Sequence, residues 1–323
     1  MNFTREDIES AQRAVYAVMR PTPQYAWPLL ARRLGLPVWV KHENHTPVGA
    51  FKVRGGITYF DALPAGTLSV ISATRGNHGQ SVGLAARRTG RHATIVVPHG
   101  NSVEKNAAMR ALGVDLIEHG RDFQAAREHA TGLARERGLH MVPSFHRDLV
   151  RGVATYWVEF FESFAKGDEP AVVFVPIGQG SGFTACAAAR AYTGAKSRLV
   201  GVVSAHATAY LDSFRAGRAV EAPVTTRIAD GLACRVADAE ALQVILANAD
   251  DVVAVTDDEV ADAMRILFAD THNVAEGAGA AALAAAIQQK GRLAGKSVGV
   301  PLTGGNVDAA LFAPILSQAV SPA

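Results

Sequence analysis

The run Gly49-Ala50-Phe51-Lys52-Val53-Arg54-Gly55-Gly56 decides how the rest of this 323-residue chain is read. A lysine set among alanine, phenylalanine and valine, bracketed by glycines, suits a buried place beside a flat ligand. Burial disfavours the ammonium, so the amine becomes a nucleophile near neutral pH. Such an amine can form a Schiff base with an aldehyde cofactor. An isolated lysine is ordinarily a solvated residue at a strand end; three motifs farther along weigh against that here.

Gly178-Gln179-Gly180-Ser181-Gly182 follows an apolar strand at 172–175 and precedes an alanine-rich helix reaching Tyr192. Glycines let the backbone turn its N–H groups inward, and a helix N-terminus adds partial positive charge. Together they make an anion cradle. A dinucleotide site would want an acid at the end of the next strand, but that strand runs out at Val203-Ser204-Ala205-His206. The spacing is also G-x-G-x-G, so a phosphate monoester fits better. Ser72-Ala73-Thr74-Arg75-Gly76-Asn77-His78-Gly79 is a second strand-to-helix turn. Its open N–H groups suit a carboxylate, and Asn77 offers an amide. Thr303-Gly304-Gly305-Asn306 closes a third strand with a hydroxyl that can face a heteroaromatic nitrogen without holding it protonated.

Around these motifs the chain alternates strands and helices. Thr4, with Asp7 three residues on, predicts an N-cap for a helix ending near Met19. Strands are expected at 38–41, 68–72, 93–98, 115–117, 172–175, 199–203 and 298–302, with helices at 80–88, 104–112, 123–137 and 152–164. This alternation implies parallel sheets with right-handed crossovers. The expected architecture is α/β with two lobes: residues 1–65 plus 147–323 form a large cofactor-binding domain, and 66–146 a small mobile domain that closes on substrate across the cleft.

Half the residues are hydrophobic, 19% are charged and the net charge is +2. That balance leaves no electrostatic footprint for nucleic acid or anionic lipid. The charged start lacks a secretory h-region and the apolar stretch at 277–287 is too short to span a bilayer, so no membrane association is expected. Two distant cysteines, Cys186 and Cys234, form neither a disulfide framework nor a zinc module and fit a reducing cytoplasm.

In this order, A-F-K-V-R-G around Lys52, G-N-H-G at 76–79, the glycine loop at 178–182, A-E-G-A-G at 275–279 and T-G-G-N at 303–306 resemble the fold-type II pyridoxal-phosphate enzymes. The nearest group is the serine/threonine dehydratases and serine racemases, of tryptophan-synthase-β-like architecture. The resemblance implies pyridoxal 5′-phosphate as cofactor, Lys52 as the Schiff-base lysine and Phe51 against the ring. It implies Asn77 on the phenolic oxygen, Gly178, Gln179, Gly180, Ser181 and Gly182 on the phosphate, and Thr303 facing the pyridine nitrogen. Thr74, Arg75, Gly76, Asn77 and His78 would receive the substrate carboxylate, with Glu276 near the active site. A homodimer is also implied.

The expected activity is a dehydratase or ammonia-lyase converting a β-hydroxy amino acid to a 2-oxo acid and ammonia. A β-replacement synthase, a racemase, a dinucleotide-dependent oxidoreductase and a non-catalytic cofactor-binding protein are the alternatives. Two departures sharpen the reading. Racemases of the group place a serine where this chain has Arg75, and a guanidinium cannot cycle a proton, so little racemisation is expected. Relatives that bind a divalent cation use acids after the strand ending near Val203; residues 204–210 have none, so no metal is expected there. With the last motif close to Ala323, no appended regulatory domain is expected, which favours a catabolic role.

Overall fold

A computed structural model describes residues 1–319. Its strands are β1 (Gln24–Ala26), β2 (Val38–His42), β3 (Ser69–Ala73), β4 (His92–Val97), β5 (Asp115–Glu118), β6 (His140–Met141), β7 (Val172–Pro176), β8 (Arg198–Ser204), β9 (Asp251–Val255) and β10 (Val298–Leu302). They form two sheets. One runs β1-β2-β10-β7-β8-β9, the other β5-β4-β3-β6. Every pairing is parallel except β1 against β2.

Strand side chains alternate between faces, and both sheets are covered on both. Val172 and Phe174 of β7 pack with Val200 and Val202 against helices Asp257–Thr271 and Gly277–Gln288. Val173 and Val175 point the other way with Leu199 and Val203, into the aromatic face of helix Arg147–Glu162. In the smaller sheet Val70 and Ile95 meet helix Asn77–Arg88, while Ile71 and Val96 meet helix Phe123–Arg137. Each sheet is therefore the middle of three layers, and central strands such as β3, β7 and β10 are almost wholly buried on both faces and read as largely apolar runs.

Helix Arg5–Tyr16 opens with the expected capping box, the Thr4 and Asp7 side chains each accepting from the other's backbone. It ends earlier than the pattern suggested, with Val18 and Met19 N–H groups turning back to Val15 ahead of Pro21. Helix Asn77–Arg88 begins three residues before the expected start, and helix Arg147–Glu162 five.

Lys52 is the first residue of helix Lys52–Ala62, a helix that the octet's glycines disguise. Those glycines are packing positions. A Cβ on Gly55 would meet the Leu149 carbonyl, and one on Gly56 the Ser81 backbone. From the facing helix, a Cβ on Gly152 would strike the Arg54 carbonyl. The Lys52 helix is thus wedged backbone-close between helices Arg147–Glu162 and Asn77–Arg88.

Its orientation is set by charge. Arg54 is fully buried and forks onto Glu43, with Nε to Oε2 at 2.7 Å and Nη2 to Oε1 at 2.9 Å. It also donates to Glu159 at 2.5 and 3.0 Å and to Thr155 Oγ1 at 2.9 Å. Lys41 completes the cluster, donating to Glu159 at 2.6 Å and to the Thr22 carbonyl at 2.9 Å. Burial alone would lower the guanidinium pKa, but Glu43 and Glu159 outweigh it and hold the group protonated. Burial likewise opposes ionisation of Glu159, and Arg54 overrides it. Removing one member strands an uncompensated buried charge. Arg54→Ala is expected to cost about 3–5 kcal/mol, read as a lowered urea midpoint in equilibrium unfolding.

Candidate active site

The ends of β3, β7 and β10 and the N-termini of helices Asn77–Arg88 and Ser181–Thr193 converge on one cleft between the sheets. Its wall includes Phe51, Lys52, Thr74, Arg75, Gly76, Asn77, His78, Gly178, Gln179, Gly180, Ser181, Gly182, Glu276 and Thr303. Every site residue expected from the sequence is brought there. The same wall carries Lys105, Phe123, Tyr156 and Asp230, which motif reading passed over.

Lys52 keeps some accessible surface along the cleft, yet its amine lies deep. Burial lowers its pKa from 10.5 to about 8. The amine donates to Ser181 Oγ at 3.1 Å and stands 5.0 Å from the Phe51 ring centroid. Among the described residues no carboxylate pairs with it, in contrast to Lys41 and Lys105. An amine left near pH 8 is one that can exchange between nucleophile and acid.

The glycine loop is shaped by steric exclusion. A Cβ on Gly178 would collide with the Gly231 carbonyl. Gly180 has φ +92°, and a Cβ there would run into Ala241. Gly180 caps helix Ser181–Thr193, so its free N–H groups open on the cleft as an anion seat. Tyr210 buttresses the loop from behind, donating its hydroxyl to the Gln179 carbonyl at 3.1 Å and accepting from Asp238 N–H at 3.1 Å.

The Gly76-Asn77-His78 turn is a second helix N-terminus. Thr74 Oγ1 accepts from Gly76 N–H at 3.0 Å, and Gly76 holds φ +154° against the Lys105 side chain. Asn77 donates to Glu276 Oε1 at 2.5 Å and accepts from Asn306 Nδ2 at 2.9 Å. Glu276 is held on its other side by Lys105, whose Nζ lies 3.1 Å from Oε2 and 2.8 Å from Asp230 Oδ2. Burial works against the Lys105 ammonium, but Glu276 and Asp230 prevail and keep it charged. Burial pushes the Glu276 carboxyl up, with Lys105 opposing. Arg75 is exposed at the cleft wall and makes no hydrogen bond or ion pair among the described residues. Among the described residues Thr303 Oγ1 reaches only the Ala278 carbonyl, at a long 3.4 Å.

Residues 15–304 match the family described as pyridoxal-phosphate dependent enzyme. The chain belongs to this family. It is 33% identical over 292 residues to an L-threonine ammonia-lyase of Geobacter sulfurreducens, covering 89% of this chain and 72% of the relative. It is 31% identical over 317 residues to an L-threo-3-hydroxyaspartate ammonia-lyase of Saccharomyces cerevisiae, covering 97% and 96%. Among solved structures, processed threonine deaminase isoform 2 from Solanum lycopersicum superposes with a TM-score of 0.89 at 25% identity, covering 98% of this chain and 95% of that one. Maize serine racemase does so at 0.88 and 26%, covering 96% and 95%. The residues present fit the family's cofactor. The buried Lys52 amine, without a carboxylate partner among the described residues, suits its aldehyde, and the loop closed to Cβ atoms at Gly178 and Gly180 suits its phosphate.

Lys105 and Asp230 could have been found from sequence only by knowing that helix Val103–Ala111 lies across the cleft from the 230–232 turn, since neither sits in a glycine-flanked motif. Two tests follow. Gly180→Ala forces a side chain into a left-handed backbone against Ala241 and is expected to lower cofactor affinity at least about tenfold, measured by equilibrium titration of absorbance. In cofactor-free protein, Lys52 modification by reductive methylation, followed by peptide mapping, should rise as pH passes about 8. Its folded-state pKa is below the 10.5 of the unfolded chain. The buried ammonium therefore costs stability below about 8, and this cost is relieved as pH rises toward 10.5.

Proposed function

We propose that the protein is a pyridoxal-phosphate-dependent ammonia-lyase acting on a β-hydroxy-α-amino acid and releasing a 2-oxo acid and ammonia. The observation that carries the reading is Lys52. Its amine is buried, has no carboxylate partner among the described residues and has its pKa lowered by burial to about 8, and it stands between the glycine-loop cradle and the Asn77 turn. The ammonia-lyase named above, matching nearly end to end, supports the same reading.

Bound pyridoxal phosphate supplies an aldehyde that captures the substrate amine and a ring that accepts electrons from the α-carbon. The chain's own part follows from position. Lys52 would take the α-proton onto Nζ. N–H groups of the turn from Thr74 to His78 would receive the substrate carboxylate, and those from Gly178 to Gly182 would hold the cofactor phosphate. Phe51 would flank the cofactor ring and Asn77 would bond its phenolic oxygen. Thr303 would offer the ring nitrogen a neutral hydroxyl, which cannot hold it protonated as an aspartate would. Glu276, between Asn77 and Lys105, fixes the Asn77 amide.

Arg75 bears on the choice of substrate. Permanently protonated, it cannot serve as the second proton carrier that racemisation needs. Exposed on the cleft wall with no protein partner among the described residues, it suits a second carboxylate or an aromatic ring on the substrate. This keeps 3-hydroxyaspartate and phenylserine beside serine and threonine. Residues 66–146, which hold the four-stranded sheet, would move as the closing unit. A homodimer is supported by the family resemblance and a cytoplasmic setting by the two free cysteines, Cys186 and Cys234; no described helix is long and apolar enough to cross a membrane.

The test is a turnover panel of L-serine, L-threonine, threo- and erythro-3-hydroxyaspartate and phenylserine, with 2-oxo acid and ammonia both measured. One or more should turn over, and Lys52→Ala should reduce release to background. If no substrate yields ammonia although cofactor absorbance is present, the reading fails. Arg75→Ser should lower kcat/KM for a dicarboxylic substrate at least about tenfold relative to serine.

A further inference from the structure

Glu276 is the N-cap residue of helix Gly277–Gln288, yet its side chain makes no capping bond there. It is turned across the cleft instead, and only 3% of the residue is exposed. Oε1 accepts from Asn77 Nδ2 at 2.5 Å, and Oε2 lies 3.1 Å from Lys105 Nζ, an ion pair outside hydrogen-bond geometry. Burial works against the ionised carboxyl, the Asp230 carboxylate adds to that, and the Lys105 ammonium opposes both. Asp230 shares the same ammonium at 2.8 Å but keeps 30% of its side chain exposed, so water can answer its charge. Glu276 has no such recourse, and the cation matters most to this buried partner. The other end of the chain is fixed by a carbonyl. Asn306 Nδ2 donates to the Val48 carbonyl at 2.8 Å and to Asn77 Oδ1 at 2.9 Å, so both its N–H groups are spent. A carbonyl and a carboxylate can only accept. The Asn77 amide is therefore held one way round, oxygen to Asn306 and nitrogen to Glu276, with its second N–H left for the cleft. A protonated Glu276 would not enforce this, because its O–H could donate to an amide oxygen.

We propose that Lys105 is a positioning residue for the cofactor: its ammonium keeps Glu276 a carboxylate, and Glu276 thereby aims the free Asn77 N–H at the cofactor's phenolic oxygen. The inference rests on the ammonia-lyase reading only for the cofactor and for the placing of Asn77 on that oxygen. Charge, not shape, is then the property that matters at position 105. Asn77 and Lys105 stand on helices that pack on the four-stranded sheet, whereas Glu276 opens a helix that packs on the six-stranded one. The amide is thus oriented only where the two units meet.

The test titrates the cofactor-free full-length chain with two probes, pyridoxal phosphate and its 3-deoxy analogue, which lacks the phenolic oxygen. Absorbance gives each affinity, and their ratio is the quantity compared. Wild type should bind pyridoxal phosphate the more tightly. Lys105→Met should cut the ratio at least about fivefold, because only one probe has the oxygen whose hydrogen bond is lost. Lys105→Arg keeps the charge and should retain most of the ratio. Lys105→Gln, neutral but still a donor, should behave as Lys105→Met does and replaces it if that variant fails to fold. Glu276→Gln in the Lys105→Met background removes the buried charge while keeping an acceptor, so it should restore part of the ratio. A ratio unchanged in Lys105→Met and Lys105→Gln, with both affinities falling together, overturns the proposal and makes Lys105 a strut between the two units. Equal affinities for the two probes in wild type also overturn it, since Asn77 then makes no bond to that oxygen. If wild type releases ammonia from no amino acid while the ratio responds to Lys105 as expected, the lyase reading fails and this one stands.

Discussion

The pairing of Arg54 with Glu43 and Glu159, deep in the larger three-layer unit, is the interaction on which the site depends. It joins three separate parts of the chain: the 3-10 turn after β2, the helix that begins at Lys52, and the helix Arg147–Glu162 that covers one sheet face. Two acids share one guanidinium and one ammonium, so the cluster is charge-balanced and its members saturate one another's hydrogen bonds. Such a cluster contributes little net stability against an apolar alternative. Its contribution is geometric, since only one rotation and one depth of the Lys52 helix satisfy all four charges.

Glycines then bring the backbones close enough for that geometry to be kept. Gly55, Gly56 and Gly152 allow three helices to touch along their main chains, and Gly178 and Gly180 let the phosphate loop lie against the 230–232 turn and Ala241. Across the cleft a second polar chain runs Asn306–Asn77–Glu276–Lys105–Asp230, linking residues that flank the two sheets. Ser102 and Asp308 add a contact between the start of helix Val103–Ala111 and the start of helix Ala309–Leu316. These polar links across the cleft add to apolar packing behind it, where Tyr59, Phe60 and Leu149 meet Val70, Val82 and Ile95 of the smaller unit.

Much of this was legible beforehand because local chemistry and burial agreed. Alternating apolar strands in 69–141 and 172–203 gave both parallel sheets, and the five motifs placed the cleft wall. Helix Phe123–Arg137 matches its sequence reading at both ends, because Asp122 caps one end and Gly138 stops the other. Legibility failed where a signal meant something else. No element was expected over the octet, whose glycines serve a helix. The turn Gly76-Asn77-His78 lacks a side-chain cap, which hid the true helix start. Between Ala209 and Gln288 only the motif at 275–279 was read: the Thr256–Glu259 capping box that opens helix Asp257–Thr271 was a signal missed, and the alanine-rich helix Gly277–Gln288 carries its information in packing density.

Lys52 and Arg54 lie two positions apart in one helix, which puts them on nearly opposite sides of it. The first keeps its charge unpaired and so sheds its proton readily; the second has its charge permanently answered. The two fates are assigned by angle alone. A single residue inserted between them would turn everything after it by about 100°. The guanidinium would then leave its two acids while the amine stayed in the cleft. The spacing of this dipeptide step is therefore a length constraint on the chain that no compensating side-chain change elsewhere could absorb, and drift by insertion is closed to this segment even where drift by substitution is open.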